Sequence, residues 1–241
     1  MIINKNCLDY LPNIDDDSID LILTDPPYEI GKYSTGNINL PKRKALNNNI
    51  AKWDQFFDPS LYADEMVRVL KQDGNMFIFT SYNLIGKWHE LLDHRFDTFQ
   101  FFVWHKRNPP PKIHKNGFLN SCELILCLWN KKHKWNFKGQ VEMHNFFESP
   151  ICMGNERLEH PTQKPLAMAE YFIKTYSQEL DNVLDFIANN LQYSYALILL
   201  FAFAESLVIV GSILSSAILF SICVFLYNNN LLDLYSIVPL A

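Results

Sequence analysis

Short apolar runs alternate along the chain with segments whose apolar residues recur at three- and four-residue spacing. Residues 20–24 read Asp-Leu-Ile-Leu-Thr. That run is too short for a helix and stops at Asp25-Pro26, so it predicts a buried strand. Residues 60–71 place Leu61, Met66, Val67 and Leu70 at helical spacing, and Asp73-Gly74 closes the segment. Residues 75–81 (NMFIFTS) predict a strand. Residues 83–92 predict a helix with Leu84, Ile85, Trp88, Leu91 and Leu92 on its apolar face. Strands follow at 99–104 (FQFFVW) and 122–129 (CELILCLW), then a helix at 165–176 and the start of a last strand at 182–185 (NVLD). Strands alternating with helices predict an α/β sheet covered by helices. In such sheets ligands sit at the carboxyl ends of the strands, which is where Asp25-Pro26-Pro27-Tyr28 falls.

Charge divides the chain in two. Residues 1–185 carry all 21 Lys and Arg and all but two of the 26 acids; residues 186–241 hold only Glu205 and Asp233. The first part predicts one soluble domain. The second predicts an apolar helical tail in which residues 206–227 run for 22 positions without a charge or a proline, long enough for a bilayer span. A membrane contact through 206–227 and an out-of-frame tail are both open at this level. Residues 1–5 lead straight into charged, patterned sequence, without the apolar core of a signal peptide, so the expected location is cytoplasmic. Five cysteines without a C-x-x-C pair, and seven histidines without H-x-x-x-H spacing, argue against a disulfide framework and a metal site.

Asp25-Pro26-Pro27-Tyr28 is rare: chance places it in a chain of this length on the order of once in a thousand. A turn would explain the prolines. A chemical reading explains all four residues. An exocyclic base amine is a poor nucleophile because its lone pair is delocalised into the ring. A carboxylate and a backbone carbonyl together can accept its two N–H groups, drawing the nitrogen towards a tetrahedral, nucleophilic geometry. The prolines stiffen the loop and bring no competing N–H, and a tyrosine ring offers a stacking surface for a base taken out of a duplex.

With His160-Pro161-Thr162-Gln163-Lys164-Pro165 and the following Asn182-Val183-Leu184-Asp185, the chain resembles the amino-methylating DNA methyltransferases of the beta class, in which the catalytic motif precedes the cofactor motifs. The resemblance covers about residues 1–185. It implies a Rossmann-like sheet of the S-adenosylmethionine-dependent type, with S-adenosylmethionine as cofactor and double-stranded DNA as partner. It also implies a methyl group delivered to N6 of a flipped adenine. Serine at the first motif position is the commoner cytosine pattern, so N4-cytosine methylation is the alternative; an inactive DNA-binding remnant is another. Catalytic roles fall to Asp25, Pro26, Pro27 and Tyr28. Cofactor contacts fall to Asp25, His160, Pro161, Thr162, Lys164 and Asp185.

One departure stands out. The family follows this last strand with a glycine-rich loop, whereas here Asp185 is followed by Phe186-Ile187-Ala188-Asn189-Asn190, with no glycine between Gly154 and Gly211. Close backbone approach is what glycine provides, so the sheet and its cofactor cradle are expected to be incomplete.

Residues 105–138 hold eight Lys or Arg against one acid, Glu123. Such a stretch can neutralise phosphates, so Lys106, Arg107, Lys131, Lys132 and Lys134 are expected at the DNA. Residues from about 105 to 157 are expected to form a DNA-contacting, target-recognition insertion. The long polar loop of residues 29–53 is the second candidate for DNA contact, through Lys42, Arg43 and Lys44, and would lie as a lid over the flipped base.

Overall fold

In the computed structural model, the described residues are 5–29, 36–38, 46–48, 54, 57–112, 115–157 and 163–185. They belong to a single unit spanning Met1–Ala196. The apolar tail at 186–241, with its 206–227 run, lies outside the described residues, as do Lys42, Arg43, Lys44, His160, Pro161 and Thr162. Among the described residues, no helix is long and apolar enough to cross a membrane.

The chain opens with a short helix, α1 (Cys7–Tyr10), capped by the Asn6 side chain accepting from the Leu8 N–H. Strand β1 (Ile19–Thr24) follows, then a small antiparallel pair, β2 (Gly36–Ile38) and β3 (Leu46–Asn48). Next come α2 (Ser60–Val69), β4 (Leu70–Thr80), α3 (Ile85–Leu92), β5 (Thr98–Lys106) and β6 (Cys122–Trp129). The chain then runs through β7 (Phe146–Ser149), α4 (Leu166–Tyr176) and β8 (Val183–Leu184). Six strands form one sheet in the order β7-β5-β6-β4-β1-β8. Strands β4, β1 and β8 are mutually parallel, while β6 runs against both β4 and β5.

The strands read as near-continuous apolar runs because helices cover both faces. Their period of two still sorts the side chains. Ile22, Met76, Ile78, Leu126 and Leu128 pack on one face with Tyr62, Ala63, Met66 and Val69 of α2 and with Trp88 and Leu92 of α3. Leu21, Leu23, Phe77, Phe79, Ile125 and Cys127 pack on the other face against Met168, Phe172 and Tyr176 of α4. These three lie four residues apart on one helical stripe, and the Phe172 ring meets Phe77 at 4.6 Å and Phe102 at 5.0 Å between centroids.

Helix α2 ends at Val69 and passes directly into β4, which begins at Leu70, earlier than the pattern predicts. The Asp73-Gly74 turn signal lies inside the strand, where the β1–β4 register shifts between Ile19↔Leu70 and Leu21↔Asn75. A Cβ at Gly74 would stand 2.7 Å from Leu70 Cδ1 and 3.0 Å from the Asp20 carbonyl oxygen. The glycine therefore serves a bulge. Strand β7 was not foreseen: it is short, and its exposed and buried positions do not alternate cleanly.

An ion cluster fastens the amino-terminal ends of the parallel strands. Asp20, 1% exposed, accepts from Lys71 Nζ at 2.8 Å, Lys134 Nζ at 2.5 Å and the Asn182 N–H at 2.9 Å. Lys134 also reaches Asp181 at 2.5 Å. Burial alone would raise the Asp20 carboxyl, but Lys134 and Lys71 more than offset it and hold it below its ordinary value. Lys134, expected from the sequence at the DNA, thus has its ammonium paired with Asp20 and Asp181 at this end of the sheet.

Candidate active site

The carboxyl ends of β1, β4 and β8 share one edge of the sheet with the end of β5 and the start of β6, because β6 runs antiparallel to both neighbours (Thr80↔Leu124, His105↔Cys122). Asp25, Ser81, Asp185, Lys106 and Glu123 stand within two residues of that edge. Paired prolines after Thr24 end the strand, and Pro26 and Pro27 are both buried. The turn beyond is tied down from two sides. Tyr28 and Glu29 donate their backbone N–H groups to Oδ1 of buried Asp54, and Ser81 Oγ donates to the Tyr28 carbonyl at 2.7 Å.

Lys164 comes from the other side of the fold. The residue before a proline is biased to extended backbone, and Pro165 is the N-cap of α4. Lys164 reaches over the sheet edge so that its Nζ donates to Asp25 Oδ2 at 2.8 Å and lies 3.3 Å from Glu123 Oε2. Glu123 Oε1 pairs with Lys106 Nζ at 2.6 Å. The Tyr28 hydroxyl donates to Asp25 Oδ1 at 2.8 Å and stands 3.3 Å from Glu123 Oε2. The Lys164 ammonium lies 5.0 Å from the centroid of the Tyr28 ring and 5.2 Å from that of Phe79.

Two carboxylates and two ammonium groups thus alternate across the site. Burial would raise Glu123, but Lys164 and Lys106 outweigh it and keep the carboxyl below its usual value. Burial would lower Lys164, but Asp25 and Glu123 outweigh it and hold the ammonium charged. Tyr28 is pushed far above a normal phenol by burial and by the same two carboxylates, so it stays a neutral donor.

Asp185 is the unbalanced member. Half-buried at the end of β8, its carboxyl is pushed up from 3.8 to about 7 by burial and by the charge of Asp25. A carboxyl raised on folding favours the fold in its protonated form. That contribution is fully present below about pH 4 and is lost as pH rises to about 7. Asp185→Asn should therefore flatten the pH dependence of stability across this window and make the ligand-free chain more stable at neutral pH. Urea unfolding at intervals from pH 4 to pH 8 tests this; an unchanged dependence would show that Asp185 does not carry it.

Asp25, Tyr28, Lys164 and Asp185, all predicted from sequence, therefore share one edge of the sheet. The basic residues scatter. Lys106, expected from the sequence at the phosphates, is 8% exposed and paired with Glu123. Arg107 is exposed at the site edge, and Lys112 and Lys115 are exposed in the following loop, near Phe118 at 97% exposure. Lys131 and Lys132 are exposed but follow β6, whose end pairs with Asn75, midway along β4. Five residue steps separate that pair from the Thr80↔Leu124 pair, about 17 Å along the strands. Glu123, Asp54 and Ser81 were missed. Glu123 alone left a signal, as the one charge in an otherwise apolar strand, at its site-edge end. Among the described residues no cluster of His, Cys, Asp and Glu could hold a metal ion.

The family described as DNA methylase (N6/N4 methyltransferase) matches residues 19–188. The type II methyltransferase M2.MboI of Moraxella bovis is 27% identical over 205 residues, covering 76% of this chain and 73% of that protein. The type II methyltransferase M.HinfI of Haemophilus influenzae is 29% identical over 210 residues, covering 76% of this chain but only 57% of its own length. Among solved structures, the cytosine-N4-specific PvuII DNA methyltransferase superposes with a TM-score of 0.55 at 16% identity, covering 75% of this chain and 71% of that one. At that identity the match speaks for the fold alone.

Proposed function

The chain belongs to the DNA methylase family, whose cofactor is S-adenosylmethionine, and on that premise we propose that it methylates N6 of adenine in double-stranded DNA. The observation that carries this is Asp25 on a rigid turn, at a site edge shared with a second carboxyl, Asp185. S-adenosylmethionine, when bound, supplies an electrophilic methyl group on a sulfonium, so that a nitrogen–carbon bond forms as the carbon–sulfur bond breaks and the extra proton on the amine leaves to solvent. The donor set suits such a cation: Asp185 is raised by burial and, after it, by the negative charge of Asp25, and a positive ligand beside the pair would relieve the second of these. Asp25 accepts one N–H of the amine and the Pro26 carbonyl the other, while the Tyr28 ring stacks on the base. Aspartate at the first motif position supports adenine over cytosine, through the family resemblance. Methyl groups transferred to duplex DNA of mixed sequence should be recovered on N6 of adenine and not on N4 of cytosine. The reverse result would assign the site to N4 of cytosine.

The glycine-free sequence 186–190 sets the expected cofactor affinity. Calorimetric titration of the full chain should show binding weaker than micromolar, so transfer is measured at saturating cofactor. Micromolar binding would show that this segment forms a working cradle without glycine.

The residues that meet phosphate follow the site edge. Neutralising Arg107, Lys112 and Lys115 together should flatten the salt dependence of duplex binding, lowering the log–log slope by about 0.9 for each phosphate no longer neutralised. Neutralising Lys131 and Lys132 should leave the slope unchanged, since they follow the far end of β6. Filter binding across a salt series separates the two sets. A larger effect from Lys131 and Lys132 would place the duplex at the other end of the sheet.

A further inference from the structure

The Tyr28 hydroxyl faces two acceptors and has one proton to give. It lies 2.8 Å from Asp25 Oδ1 and 3.3 Å from Glu123 Oε2. With Lys164 on Oδ2, each oxygen of Asp25 already accepts one hydrogen bond in this structure, so the target amine would have to share Oδ1 with the Tyr28 hydroxyl. We propose that Glu123 is a positioning residue that takes the Tyr28 hydroxyl off Asp25 as the base enters, freeing Oδ1 for the amine. This rests on the reading of Asp25 as the acceptor of that amine.

The exchange is a short one. The Tyr28 backbone is held by Asp54 and Ser81, and Lys164 lies over the ring, so the hydroxyl alone needs to tilt between oxygens already within reach. It leaves one charge-assisted hydrogen bond for another of the same kind. Glu123 is fixed to receive it, with Lys106 on Oε1 and Lys164 beside Oε2. Held ionised, it has only acceptor sites to offer.

Removing Glu123 alone would strand Lys106 in a buried position, so both charges are removed in the Lys106→Met/Glu123→Leu chain, a replacement that buried pairs tolerate. Methyl transfer to duplex DNA at saturating cofactor should then fall roughly 10- to 100-fold in kcat, the effect of one misdirected charge-assisted hydrogen bond. The KM for DNA and the melting temperature should change little. Adding Tyr28→Phe keeps the ring and removes the hydroxyl, so the triple variant should recover at least about tenfold of that loss. Glu123→Gln, which keeps an oxygen acceptor, should lose less than the double variant. A triple variant no faster than the double, or a double variant with wild-type kcat, would overturn the proposal. If the wild-type chain transfers no methyl group, or Asp25→Ala transfers it normally, the parent reading falls and the exchange with it.

Discussion

Asp25→Ala is expected to take methyl transfer to the floor of the assay, a loss of at least about 10²–10³-fold in kcat, while duplex affinity stays within about twofold. The two quantities separate because they come from different atoms. In the proposed mechanism the carboxylate acts on the amine, whereas exposed basic side chains on the phosphates would supply most of the affinity. The variant should also fold. Lys164 keeps Glu123 at 3.3 Å, and the Tyr28 hydroxyl keeps the same carboxylate within reach. Methyl incorporation and filter binding on the same preparation check both halves. An alanine variant with wild-type turnover would remove Asp25 from the mechanism; one that loses DNA binding in parallel would make Asp25 a structural residue.

The largest expected effect on stability lies at the opposite end of the sheet. Asp20→Ala removes the acceptor shared by Lys71, Lys134 and the Asn182 N–H. Breaking a buried ion pair by deleting one partner costs about 3–5 kcal/mol, a large share of a domain's total. Lys71, about a third exposed, can turn to water; Lys134, more enclosed, keeps only Asp181. The loss should reach the site as well, because this cluster seats the strand that carries Asp185 beside the strand that carries Asp25. Lys71→Met, which removes a partly exposed partner, should cost about 1 kcal/mol or less. Urea denaturation of the two variants measures the contrast. Equal costs would show that Asp20 does not depend on its buried partner.

The sequence was legible where a single physical rule governed a segment. Buried strands such as 122–129 followed from apolar runs of the right length, and α3 from the helical spacing of Leu84, Ile85, Trp88, Leu91 and Leu92. The place of the candidate tetrapeptide at the strand end was legible because few sequences stop a strand with a carboxylate, two prolines and an aromatic ring. Legibility failed where two rules competed. Asp73-Gly74 carries the signal of a turn, yet neighbouring backbone needs that glycine inside a strand. Lys106, Lys131 and Lys134 look alike in a count of charges, but the count does not record which end of a strand each occupies or which acid it meets. Lys106 found Glu123 and Lys134 found Asp20, partners 17 and 114 residues away in the chain.

The most direct test of the account is the identity of the methylated atom. The full chain is incubated with duplex DNA and S-adenosylmethionine carrying a labelled methyl group, at saturating concentrations, and the DNA is digested to nucleosides. Label in N6-methyladenine, absent from the Asp25→Ala control, is the predicted result. No labelled nucleoside, or label in N4-methylcytosine or 5-methylcytosine, would contradict it, because the role proposed for Asp25 and Tyr28 is to act on the amine of adenine.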